Sequence, residues 1–88
     1  MELINFFGLK LAALIGQNGA AGIGLLCLAL KDAGLSHTQL NYHRLKITFE
    51  KYLPPRLEKA GLTDPEGVAI QMVSLLKESQ SLVTLASH

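Results

Sequence analysis

Charge, aromatic side chains and cysteine are all scarce in this 88-residue chain. Charged residues make up 17 % of it and apolar residues 49 %, whereas an average soluble domain carries about 25 % charge. The formal charge is +1, so no global field draws in a nucleic-acid backbone and any basic patch has to be local. Cys27 stands alone, which excludes an internal disulfide and fits a reducing cytoplasm. Period-two alternation is missing, which removes strands and hairpins. No repeat, low-complexity tract or linker divides the chain, so residues 1–88 read as one domain. At this size folding buries only ~60–65 % of the surface that the unfolded chain exposes. The apolar excess therefore asks for a partner subunit, a companion domain or a membrane.

Residues 3–30 contain a single charge, Lys10, so a small membrane protein anchored through residues 3–30 is one alternative reading. Leu3 to Ile15 is too short for it, since a span takes ~20 consecutive apolar residues, and Gly16-Gln17-Asn18-Gly19 interrupts the run. A secretory signal would want a basic leader where Glu2 stands. A pair of buried helices is the reading adopted.

What the chain does have is helix punctuation. Ser36-His37-Thr38-Gln39 and Thr63-Asp64-Pro65-Glu66 both read as capping boxes, in which a hydroxyl accepts from the N3 amide and Gln or Glu reaches back to the cap amide. Leu35 and Leu40 add a hydrophobic staple around the first. The expected fold class is all-α, a small bundle with helices at about 3–15, 20–33, 37–53 and 64–86. Gly34 and Gly61 supply C′ positions. Pro54-Pro55 kinks the third helix, because Pro54 has no N–H and its ring crowds the Glu50 carbonyl; a turn continues to residue 60, and Leu57 returns near the face of Phe49 and Leu53. Along the last helix Val68, Ala69, Met72, Val73, Leu75, Leu76, Leu82, Val83 and Ala86 form an arc too wide for one neighbour to cover. No formally charged side chain follows Glu78, so exposure of that final stretch is not expected.

Chemistry is hard to assemble from these residues. His37 and His43 are six apart and point in different directions, whereas helical metal ligands sit three or four apart, so no metal and no cofactor is expected. His88 is terminal. Cys27, among Leu25, Leu26, Leu28 and Leu30, reads as a small inert core residue. The glycines at 16, 19, 22 and 24 have no phosphate-reaching lysine and no preceding strand. Ser36 and Thr63 are accounted for as caps rather than nucleophiles. The one local basic patch is Arg44, Lys46 and Lys51 with Tyr42 and His43. With Ala33-Gly34-Leu35-Ser36 as a turn it gives a second alternative, a small helix-turn-helix DNA-binding protein using residues 37–53 as recognition helix.

Several stretches resemble the C-terminal regulatory domain of the TetR/AcrR family of bacterial transcription regulators. They are Arg44-Leu45, Phe49-Glu50-Lys51-Tyr52-Leu53, Leu57-Glu58-Lys59-Ala60-Gly61, Asp64-Pro65-Glu66-Gly67-Val68-Ala69 and Met72-Val73-Ser74-Leu75-Leu76-Lys77-Glu78. Upstream, Leu3-Ile4-Asn5-Phe6-Phe7 and Gly24-Leu25-Leu26-Cys27-Leu28-Ala29 look like the two preceding helices of that domain. The resemblance implies a non-enzymatic effector-binding and dimerisation module without the family's DNA-binding helices. It also implies a homodimer whose last two helices make a four-helix bundle with their mates. Carried onto this chain, the interface would use Phe49, Leu53, Leu57, Met72, Val73, Leu76 and Val83. A pocket for a small apolar effector would use Phe6, Leu9, Leu26, Cys27 and Tyr42.

Overall fold

A computed structural model describes residues 2–86, and side chains through residue 85. The chain is an all-α bundle: α1 (Leu3–Ile15), α2 (Gly19–Asp32), α3 (Tyr42–Ile47), a π turn (Thr48–Tyr52), α4 (Leu53–Lys59), α5 (Pro65–Glu78) and α6 (Gln80–Ala86). No described helix is long and apolar enough to cross a membrane; α1 and α2 reach that length only together, and they bend by 114° at their junction.

The first two helices fall where apolar spacing puts them. On α1 the buried residues Leu3, Ile4, Phe7, Leu11 and Ala12 form one face, as helical periodicity requires. α2 begins one residue earlier than expected, with the Asn18 side chain accepting from the Ala21 amide at 2.9 Å. Their crossing is close because Gly22 has no side chain. A Cβ there would strike the Gly8 carbonyl oxygen and stand 2.6 Å from Ala12 Cβ and 2.7 Å from Ala12 N. Gly34 and Gly61 take φ of +73° and +82°, the left-handed conformation expected after a helix end.

Both capping boxes need correction. Ser36 does not start a helix: its hydroxyl is taken by the Thr38 amide at 3.2 Å and the Thr38 hydroxyl at 2.7 Å, a local turn that competes with capping. Residues 37–41 are non-helical, and α3 starts instead from Asn41, whose Oδ1 accepts from the Arg44 amide at 2.9 Å. In the second box the cap is Asp64 rather than Thr63, with Oδ1 accepting from the Gly67 amide at 3.1 Å. That one-residue shift puts Pro65 at the first helical position, where its missing N–H costs nothing.

The expected third helix is a composite. Leu45, Phe49, Leu53 and Leu57 are all fully buried at a strict spacing of four. On an α-helix each such step drifts by about 40°, which would carry Leu57 about 120° away from Leu45. The π turn, in effect one extra residue in the coil, takes back about 100° of this. The Leu53 amide accordingly donates five residues back to the Thr48 carbonyl. Thr48 is itself fully buried, its hydroxyl donating to the Arg44 carbonyl at 2.8 Å. The expected interruption is thus upstream of the prolines, and Leu57 does return to the face of Phe49 and Leu53.

Phe7 meets Phe49 edge-on, with ring centroids 5.5 Å apart, and so joins α1 to the π turn. Burying a ring of this kind contributes roughly 1.5–3 kcal/mol. Asp32, at the end of α2, holds Arg56 of α4 by two hydrogen bonds of 2.6 and 2.8 Å. The expected last helix, 64–86, stops at Glu78. Ser79 breaks the helix, and α6 packs against α3 with Val83 fully buried; contrary to expectation the final stretch is not covered throughout, since Leu85 is 72 % exposed.

Candidate association surface

The seven residues expected to meet a second subunit are placed differently. Phe49, Leu53, Leu57, Met72, Leu76 and Val83 have no exposed surface in the single chain; they are its own core and offer nothing for a mate to touch. The wide apolar arc of the last helix is filled from within, since α5 packs against α1, α3, the π turn, α4 and α6. Of the seven, only Val73 is partly exposed.

The five pocket residues do not converge. Leu26 is core, Phe6 lies edge-on to Phe7 at 4.9 Å, Tyr42 is half-buried against the core, and Leu9 is 54 % exposed. Cys27 is exposed rather than buried, because the inner face of α2 runs through Gly22, Leu26, Ala29 and Leu30. Its apolar neighbours in sequence are not its neighbours in space. It lines a cleft with Leu30, Leu35 and His37 that the other four do not reach.

The basic patch disperses too. The Arg44 guanidinium donates to the Gln39 carbonyl at 2.6 Å, which ties it to the loop before α3. Lys46 is half-buried, and Lys51 points into a separate cleft between α4 and α5. Residues 37–41 lie outside any helix, so the segment expected as a recognition helix over 37–53 is helical only from Tyr42 onward. Nine residues separate α2 from α3, where a helix-turn-helix has a turn of about three or four. Among the described residues no three His, Cys, Asp or Glu side chains gather as a metal site. His88 lies outside the described residues.

The surface that stands out was not anticipated. On the outward side of α5, Glu66, Ile70, Val73 and Lys77 follow at spacings of four, three and four, within an arc of about 60°. All four line a cleft of about 600 Å³ whose opposite wall includes Pro54 and Pro55. Ile70 is 67 % exposed. Glu66 and Lys77 are exposed as well, and neither has an ion-pair partner among the described residues. Ile70 sits just off the inward arc of α5, and that off-axis position was the available signal. The cleft holds carboxylates, ammonium groups and the Ser74 hydroxyl, with no histidine or thiol beside that hydroxyl to activate it.

No family model, curated protein or solved structure matches the chain.

Proposed function

We propose that this chain is a non-enzymatic regulatory and dimerisation module of the kind found C-terminally in TetR-type transcription regulators, working in the cytoplasm. The observation that carries the reading is the outer face of α5. There a large aliphatic side chain, Ile70, stands open to water beside Val73 and a proline-walled cleft. Covering such a face gains about 25 cal/mol for each Å² of apolar surface removed from water. α5 and the helix before it are also the elements on which the resemblance to the family rests. The contact moves, however, from the inward residues to the outward ones. A small apolar effector drops out of the reading, because the five residues that would hold it lie apart.

Sedimentation equilibrium tests this. A dimer in the micromolar range is the expected result, and a well-folded monomer at high micromolar concentration would overturn the proposal.

A further inference from the structure

The pattern on α5 reads the same in both directions, with charge reversed. Glu66 and Lys77 are equidistant from the point between Gln71 and Met72, and so are Ile70 and Val73. Glu66 lies in the first turn of the helix and Lys77 in the last, about 16 Å apart along the axis. A twofold axis through that midpoint, perpendicular to α5, would bring together two copies of the helix running in opposite directions. Each glutamate then faces a lysine, and each isoleucine faces a valine.

We infer that α5 pairs antiparallel with α5 of a second copy of this chain. Glu66 meets Lys77 of the partner subunit at both ends, and Ile70 and Val73 form the apolar centre over the wall of Pro54 and Pro55. This rests on the dimerisation reading above and adds the face, the direction and the register. Charge complementarity selects the second copy as occupant. A twofold interface has to be self-complementary, with residue i against j and j against i, and the two charges of the α5 strip meet that condition, while Glu50, Lys51 and Glu58 lie on the opposite wall of the cleft. A parallel pairing would set glutamate on glutamate and lysine on lysine, which disfavours that alternative as surely as the antiparallel pairing favours its own. Exposure fits the assignment: the two ends are solvated and the 67 % exposed Ile70 sits near the middle, the arrangement of an apolar centre with a polar rim.

Single charge reversals and their mixture test the register. In an E66K dimer two cations meet at each end, and in a K77E dimer two anions do. Each variant alone is expected to raise the dimer Kd about tenfold or more. A one-to-one mixture of E66K with K77E restores opposite charges at both ends, so the heterodimer should return to within about threefold of the unaltered protein. Either reversal also weakens α5 itself by opposing the helix dipole, but a folding defect is not repaired by mixing, so rescue separates the two effects. Ile70→Asp provides a second measurement, because the side chain is exposed in the single chain. It should abolish the dimer while leaving the far-ultraviolet circular dichroism unchanged. If E66K and K77E dimerise as the unaltered protein does, or if the mixture shows no rescue, the register is wrong while the dimerisation reading stands. A monomeric unaltered protein, its face left for a different macromolecule, would overturn both.

Discussion

At the scale of single residues, the pair between Asp32 and Arg56 shows what an exposed contact can and cannot do. The guanidinium hydrogen-bonds the carboxylate and holds it below the ordinary carboxylate range, against a smaller opposing effect of partial desolvation and with further help from the charges of Arg56, Lys59 and Lys31. A carboxyl depressed in the folded state stabilises the fold fully above its unfolded value, and the contribution is lost as pH falls through the folded value. Asp32→Asn should therefore lower the melting temperature at neutral pH, and the difference between the two proteins should close as pH falls through the depressed folded-state value of Asp32. Thermal melts followed by circular dichroism from acid to neutral pH check this, and a constant difference down to the lowest pH would refute it. Sequence could not have shown the pair, because its members lie 24 residues apart and a lone Asp and a lone Arg carry no spacing signal. The glycines at 34 and 61 were legible because a positive φ narrows the choice of residue. The Asn41 cap was not legible, since no glutamine or glutamate follows at the third helical position and the Ser36 sequence imitates a cap more closely.

Elements were legible where periodicity and punctuation agree. α1 and α2 have both, with apolar faces in phase and Gly16 and Gly34 beyond their ends. Between Leu45 and Leu57 the punctuation misleads: the prolines mark position 54, while the coil has already loosened at 48–52. A run of apolar residues four apart is compatible with an α-helix that drifts or with one that is underwound, and only the surrounding core decides between them. The extra residue and the prolines act as one device. Neither Pro54 nor Pro55 has an N–H, so in an ordinary α coil the Glu50 and Lys51 carbonyls would lose their donors and meet the rings; the wider turn relieves that crowding. Deleting Lys51 should consequently cost about 3 kcal/mol or more in the natural sequence, and much less in a P54A/P55A background. Urea denaturation of the four proteins measures the coupling, and an equal cost in both backgrounds would show the two features to be independent. At Ser79 neither glycine nor proline marks the break before α6, so an uninterrupted helix was the natural reading.

For the whole molecule, the radius of gyration of 11.5 Å is close to the ~12 Å that chain length implies for one compact domain. The apolar excess is therefore largely consumed inside, and this is why the site was less legible than the fold. A wide apolar arc says that a helix has several neighbours; it does not say whether they belong to the same chain. Here they do for the buried arc of α5, and apolar surface is left over only in patches: the outward strip of α5 with Ile70, and Leu9, Leu14, Leu28 and Leu85 on other helices. The crossing of α1 with α2 also bears on how the chain reaches this state. These helices are joined by three residues and pack most extensively against each other, so closing the loop between them costs little entropy. Contacts so local in sequence form early, whereas α6 can be placed only after α3 and α5 exist to receive it. Gly22→Ala should cost roughly 1–3 kcal/mol by forcing the two backbones apart, and most of that should appear as slower refolding rather than faster unfolding. Stopped-flow measurement of both rates against denaturant reports the division. On this view the glycine that lets two helices touch also sets the pace at which the rest of the chain finds its place.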